Sequence, residues 1–161
     1  MLRKLPASLI WLLLIASSVQ AEKQFYIDNA WIESSRPGTS MSAGFMTIMN
    51  KGVLSDRLID VETDLAVTVE LHSTLIVDEV MSMRPLSNGL VIPPAGVVKL
   101  SPGTIHMMFM DLKEPLMVGD TCLLVLHFEK TGKLAVTVPV KQFMAYPQSV
   151  SGKKRQGRHE H

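Results

Sequence analysis

The sequence of 161 residues predicts an all-β domain, folded as an antiparallel β-sandwich or a Greek-key barrel. Short runs rich in Val, Ile, Thr and Leu recur about every ten residues, and Gly, Pro, Asn and Asp separate them. The alternation of apolar and polar residues is clearest near the end, where Leu134, Val136 and Val138 share one parity. No segment carries a long helical pattern, so a sandwich or a barrel is expected.

Each predicted strand is a run of β-branched, aromatic or aliphatic residues that ends at a turn signal. Asn50-Lys51-Gly52 ends the second run, Ser101-Pro102-Gly103 ends the seventh, and Lys130-Thr131-Gly132 separates the last two. In chain order, the predicted strands cover residues 25–33, 43–50, 57–61, 66–73, 81–85, 90–92, 97–100, 106–112, 121–129 and 134–140. The sequence has no internal repeat and no sign of a second domain.

The first 21 residues have the pattern of a signal peptide. Arg3 and Lys4 precede an apolar run over 9–15, and Val19 and Ala21 are placed as a signal peptidase requires. The run is too short for a stable membrane-spanning helix, so we expect export to the periplasm and no stable membrane insertion after cleavage. A retained N-terminal anchor is the alternative. A lipid-anchored form is not expected, because no cysteine lies near the cleavage site.

The remaining chain divides into a folded domain, expected over 22–148, and a tail over 149–161. The tail loses apolar residues and gains Ser, Gly, Lys, Arg and Gln, so we expect it to be disordered. It ends with His159-Glu160-His161. A solvated tail is the simplest interpretation, and an auxiliary Cu(II) or Zn(II) site is the functional alternative, because two imidazoles on a flexible end can chelate these ions.

The charge balance argues against nucleic acid as a partner. Without Arg3 and Lys4 of the signal segment, 14 basic residues stand against 15 acidic ones, and the tail holds four of the basic residues. The domain is therefore mildly acidic, unlike a typical nucleic-acid-binding surface. No nucleophile-elbow or metal-hydrolase motif is present, so we do not expect an enzyme.

Cys122, the only cysteine, lies in a strand-like apolar run and is expected to be a buried small hydrophobe. An electron-transfer copper site would need a Cys thiolate with two imidazoles. Cys122 and His127 are the local candidates for such a site. They differ in parity, so a regular strand directs them to opposite faces, which argues against this class.

Two imidazoles and two thioethers are the most informative side chains: His72, Met83, His106 and Met108. Neutral nitrogen and thioether sulfur form a soft donor set, which suits Cu(I) best among biological metals. His106 and Met108 share one face if their run is a strand. Eleven methionines are present, and most are expected to fill the core, including Met107. Met81 and Met110 have the same parity as Met83 and Met108 and remain rival ligands.

Around these residues the chain resembles the PCuAC family of periplasmic copper chaperones. The family motif is His, about ten residues, Met, about 21 residues, then His-x-Met. Here ten residues separate His72 from Met83, and 22 separate Met83 from the His106-Met107-Met108 triplet. The match extends over about residues 25–140 and includes Asn29-Ala30-Trp31-Ile32, Ala43-Gly44-Phe45-Met46-Thr47-Ile48 with Asn50, Asp56-Arg57-Leu58, Val69-Glu70-Leu71, Arg84-Pro85, Ile92-Pro93, Pro102-Gly103, Pro115-Leu116 and Gly119-Asp120.

Two positions depart from the family pattern. Thr104-Ile105 precede His106 where the family often has Gly and an aromatic residue, which changes the expected shielding of the site. Ser73 follows His72 where Glu is common, which removes an expected hydrogen bond to a ligand. Neither departure removes one of the four donors.

The resemblance implies a cupredoxin-like barrel that holds Cu(I) near its surface through His72, Met83, His106 and Met108. It further implies delivery of copper to the binuclear copper site of cytochrome c oxidase, so the expected partner is a copper-accepting oxidase subunit or another copper chaperone. Two alternatives remain open. One is a copper sequestration or tolerance protein without a delivery target, and the other is a non-metal β-sandwich interaction module.

Overall fold

The computed structural model describes residues 24–77 and 80–142, and the predicted all-β fold is confirmed. Ten strands form within these residues. They are β1 (Phe25–Glu33), β2 (Met41–Asn50), β3 (Asp56–Glu62), β4 (Ala66–Val77), β5 (Val80–Pro85), β6 (Leu90–Ile92), β7 (Val97–Leu100), β8 (Ile105–Leu112), β9 (Thr121–Phe128) and β10 (Gly132–Lys141).

The strands form one curled sheet whose two halves enclose the core. Their order is β5-β4-β8-β2-β1-β10-β9-β3-β6, and β7 pairs with the far end of β2. All of the pairs are antiparallel except β1 with β10, which pair in parallel over only two residue positions. Pairs such as β4 with β8 and β3 with β9 join strands distant in sequence, so long connections cross the ends of the sandwich.

The core contains aliphatic and aromatic residues from both halves of the sheet. Phe25 of β1 stacks on Phe128 of β9 with ring centroids 4.0 Å apart. Met46, Met107 and Cys122 are also buried in this core, as the sequence predicts. Such burial away from water is the main stabilising contribution to the fold.

The predicted strand limits are close to those observed, and the largest difference lies in β4. This strand continues four residues beyond the predicted end, because it pairs with β5 as a hairpin over His72 to Val77. β2 begins two residues early, where Met41 pairs with Met110 of β8. The predicted signal segment 1–21 and tail 149–161 lie outside the described residues. Within the described residues, no helix has the length and apolarity to cross a membrane.

Alternation along β4 and β8 divides their side chains between two environments. Val69 and Leu71 of β4 pack against the core, as Met107 and Phe109 of β8 do. The residues between them, including Glu70 and His72 of β4 with His106, Met108 and Met110 of β8, occupy the opposite, outer face. The candidate metal donors therefore lie on the outside of the sheet.

Candidate metal site

His72 and His106 lie directly opposite each other on the adjacent antiparallel strands β4 and β8. Their ring centroids are 6.0 Å apart, and the ring planes are inclined by 57°. Residues that are paired in this way direct their side chains to the same face. Two residues that are 34 positions apart in sequence therefore form one pair of imidazoles.

The His106 side chain is almost completely buried, with 5% of its surface exposed. Burial lowers the pKa of His106 below its ordinary value of 6.5, the hydrogen bond with Thr104 opposes this change, and the nearby His72 adds to it. Nδ1 lies 3.3 Å from the backbone carbonyl oxygen of Thr104. A neutral ring that donates its Nδ1 hydrogen to this carbonyl presents the lone pair of Nε2 to a ligand.

His72 has one nitrogen with a partner and one without. Its Nε2 lies 2.8 Å from Oε2 of Glu70, on the same strand and the same face. Its Nδ1 is buried and has no hydrogen-bond partner among the described residues. Donation from Nε2 to the carboxylate leaves Nδ1 as a free acceptor, the arrangement that metal-binding histidines commonly have with a carboxylate behind them.

The role of Glu70 is a feature that sequence reasoning missed. A carboxylate near the end of a strand is usually only solvated, and the absence of Glu after His72 suggested a lost hydrogen bond. The signal was the spacing of two residues between Glu70 and His72, which places both side chains on one face of a strand. Glu70 makes a hydrogen bond to the His72 ring, the interaction that Ser73 was expected not to provide.

Met108 and Met83 border the imidazole pair on different sides. Met108 follows His106 on the same face of β8 and pairs across the ladder with Glu70. Met83 lies on β5 opposite Thr74, one same-face position along from His72, and its side chain is 51% exposed. The buried Thr74 Oγ1 has no hydrogen-bond partner in the described part of the chain.

The strand register also locates the two rival thioethers. Met110 lies one same-face position beyond Met108 and opposite Thr68, so its backbone is farther from the imidazoles than that of Met108. Met81 pairs with Ile76, one same-face step farther from His72 than Met83. The register therefore places the backbones of Met83 and Met108 nearer to the two histidines than those of Met81 and Met110.

Two aromatic rings form a wall beside His106. Phe45 of β2 lies on the outer face, is 4% exposed, and its ring centroid lies 6.5 Å from that of His106. Trp31 of β1 packs on Phe45 at a centroid distance of 4.7 Å, and the Lys141 ammonium lies 5.8 Å from the Trp31 ring. These rings cover one side of the site and exclude water from it. The sequence, with Thr104-Ile105 in place of the family's Gly and aromatic residue, had not indicated which residues would shield the site.

Among the described residues, Cys122 and His127 are not brought together as a copper site would require. Cys122 is buried in the core, whereas His127 lies on the other face of β9 and contacts Glu62 at 3.1 Å. Burial and the nearby Asp120 raise the pKa of the Cys122 thiol. The described residues also contain no group of three or more His, Cys, Asp or Glu side chains arranged to hold a metal ion. Thioethers are not among these side-chain types, so that absence leaves the candidate site of His72, His106 and the neighbouring methionines untested.

The fold is that of a cupredoxin-like β-sandwich, and the candidate donors lie on its outer face. The chain aligns with the PCuAC domain of PmoF2, solved with copper bound, at a TM-score of 0.63 and 22% identity, covering 74% of this chain and 94% of that domain. The LpqE-like family matches residues 25–140, and the chain belongs to this family. The resemblance to PCuAC proteins predicted from the sequence is confirmed.

Two further relatives have the same architecture or a similar sequence. The Cu(I) form of DR1885 from Deinococcus radiodurans aligns at a TM-score of 0.61 and 30% identity, covering 78% of this chain and 83% of that one. A Leifsonia xyli protein named "Putative lipoprotein Lxx21020" is 29% identical over 126 residues, which cover 78% of this chain and 75% of the relative. The family description and this relative's name both refer to lipoproteins. The only cysteine in this sequence is Cys122, which is buried in β9.

Proposed function

We propose that this protein is a periplasmic Cu(I) chaperone that carries its cargo with His72, Met83, His106 and Met108. One observation supports the proposal most directly: the buried Nδ1 of His72 has no protein partner in the described residues, although an unsatisfied buried polar atom is costly. A bound metal ion would satisfy it. The neighbouring donors are neutral and soft, and these are the properties that Cu(I) prefers.

The geometry also suits a protein that releases its metal. Two imidazoles and two thioethers add no ligand charge, so thiolates of an acceptor protein are stronger donors than the site itself. The Met83 side chain is half exposed on a strand at the end of the sheet, and it offers the side from which an acceptor ligand can enter. Cu(I) can then move by stepwise exchange of ligands.

We further propose that the acceptor is the binuclear copper site of cytochrome c oxidase or another copper chaperone. The relatives described as copper-bound and as a Cu(I) form support copper as the cargo, and the choice of acceptor follows from the sequence resemblance to the PCuAC chaperones. Enzyme chemistry is not part of this proposal, since every donor would be occupied by the cargo and no position is reserved for a substrate.

X-ray absorption at the copper K-edge of the Cu(I)-loaded protein tests the donor set. We expect both nitrogen and sulfur scatterers in the first coordination shell, with sulfur lost when Met108 and Met83 are both replaced by Leu. A first shell that contains only nitrogen and oxygen would contradict the proposed site. Absence of stoichiometric Cu(I) binding would favour the non-metal interaction module.

Delivery and sequestration are separated by a transfer experiment. Cu(I)-loaded protein is mixed with the apo copper domain of an oxidase, and copper is measured in each protein after separation. Delivery predicts that copper moves to the oxidase domain and that it moves faster than from a small-molecule Cu(I) chelator of matched affinity. Retention of copper by the loaded protein would favour sequestration.

A further inference from the structure

Three methionines lie side by side on the outer face of β2 and β8. Met108 and Met110 have the same parity on β8, and Met41 of β2 lies directly opposite Met110. Met108 lies opposite Ala43, which has only a methyl side chain. Only Met108 belongs to the donor set of the proposed copper site, so Met41 and Met110 have no role in it.

The environment of Met41 and Met110 differs from that of a core methionine. Met46 and Met107 face the core and are 2% and 0% exposed, whereas Met41 is 48% exposed and Met110 is half-buried. A partly exposed apolar side chain on the outer face of the sheet contributes less to the core than a buried one. The exposed side chain of Met41 can be reached by an ion from solvent.

The spacing brings these thioethers within reach of each other. Directly opposed residues of an antiparallel pair have Cβ atoms about 5 Å apart, and diagonal neighbours lie about 7–8 Å apart, within reach of long side chains. Met41 is the direct neighbour of Met110 and the diagonal neighbour of Met108. Three neutral sulfur donors in this arrangement suit Cu(I) and are poor ligands for Zn(II), Mg(II) or Ca(II).

From this juxtaposition we propose that Met41 and Met110 form a second, weaker Cu(I) position that shares Met108 with the proposed copper site. The inference rests on the proposed function, because Met108 connects the two positions. A sulfur that alternates between them allows Cu(I) to pass along the face of the sheet without entering free solution. The second position holds copper more weakly, since it has thioethers alone while the first also has two imidazoles.

The test uses the full chain labelled with ¹³C at the methionine methyl groups and titrated with Cu(I) under anaerobic conditions. We expect the first equivalent of Cu(I) to shift the signals of Met83 and Met108, and the second to shift those of Met41 and Met110. The Met49 signal of the unaltered protein is a matched control, because Met49 lies on the same strand and face as Met41, at its other end. The Met49 signal should not move.

The variant Met41→Leu/Met110→Leu conserves shape and removes both sulfurs, a change that cores and strands tolerate well. It should keep the first Cu(I) equivalent at unchanged affinity and lose the second, whereas Met49→Leu should keep both. Unmoved Met41 and Met110 signals at the second equivalent would overturn the inference, even if copper binds elsewhere in the chain. Absence of a first equivalent at Met83 and Met108 would instead contradict the proposed function.

Discussion

Two histidine–glutamate pairs occupy the outer faces of the two halves of this sandwich, and they differ in what surrounds them. Nε2 of His72 lies 2.8 Å from Glu70, and Nε2 of His127 lies 3.1 Å from Glu62. Beyond His72 lie a second imidazole and thioethers. Beyond His127 lie the Lys133 ammonium, 3.3 Å from Glu62, and a further carboxylate, 4.0 Å from Nδ1 of His127.

The difference shows that a carboxylate behind a histidine does not by itself make a metal site. Nδ1 of His72 is buried and unpaired among the described residues, so a ligand would satisfy it. Both nitrogens of His127 have carboxylates nearby, and Glu62 is shared with a lysine. The hydrogen bond from Lys133, its charge and the contact with His127 lower the pKa of the Glu62 carboxyl. The second pair is thus an ordinary surface ion cluster.

The largest expected effect is a difference in Cu(I) affinity between variants of His72 and of His127. His72→Ala should weaken Cu(I) binding by more than about 100-fold, since loss of a ligand should exceed the 10–100-fold cost of losing an outer-shell partner. His127→Ala should leave the affinity unchanged. Competition titration with a Cu(I) chelator measures both. Equal losses in the two variants would show that the comparison between the pairs is wrong.

The two glutamates provide the next test. Glu70→Ala removes the acceptor that orients His72, and we expect a loss of about tenfold in Cu(I) affinity. Glu62→Ala removes the corresponding carboxylate from His127 and should have no effect on copper. The ¹⁵N chemical shifts of the His72 ring should also change in Glu70→Ala, because the tautomer is no longer held. An unchanged ring spectrum would remove Glu70 from this positioning role.

A smaller effect is expected at Met83. Met83→Leu keeps the shape of the side chain and removes the sulfur, so the fold should be retained while Cu(I) affinity falls by about threefold to tenfold, or about 1 kcal/mol. The remaining imidazoles and Met108 can still hold Cu(I). Met117→Leu, another exposed methionine, serves as the control and should bind as the unaltered protein does. An unchanged affinity in Met83→Leu would point to Met81 as the ligand.

The smallest effect is a dependence of stability on pH in the metal-free protein. The pKa of buried His106 is lower in the folded protein than in the unfolded chain. As the pH falls below 6.5, His106 is therefore protonated in the unfolded chain before it is protonated in the folded protein. The free energy of unfolding should therefore decrease between pH 6.5 and the lowered pKa of His106. Urea denaturation at several pH values, compared with His106→Gln, measures this contribution. A variant with the same pH dependence would assign the effect to other groups.

Much of the fold was predictable because local patterns and tertiary packing agree in this chain. Runs of β-branched residues end at Gly, Pro and Asn turns, and all ten predicted strands are present in the described residues. The limits of β4 were predicted least well. Its last four residues, Thr74-Leu75-Ile76-Val77, have the composition of a strand, and their pairing with β5 extends β4 beyond the predicted end.

The site was predictable in its residue types and only in part in its geometry. Parity alone placed His106 and Met108 on one face, and the resemblance to PCuAC proteins added His72 and Met83. Neither source indicated that Glu70 orients His72, that Phe45 and Trp31 shield His106, or that Met41 lies opposite Met110. The contacts of Phe45 with His106 and of Met41 with Met110 depend on the register of the sheet, whereas the Glu70–His72 contact lies within β4 and depends on the rotamers of two side chains.

The sequence by itself determined the class of fold, the faces of individual strands and the soft chemistry of the candidate donors. Alternation with a period of two residues and the identity of side chains are local properties, so they can be read along the chain. The tertiary structure alone decided that β4 lies beside β8 with His72 opposite His106. A shift of that register by one residue would direct His72 into the core, because register specifies which face each side chain occupies.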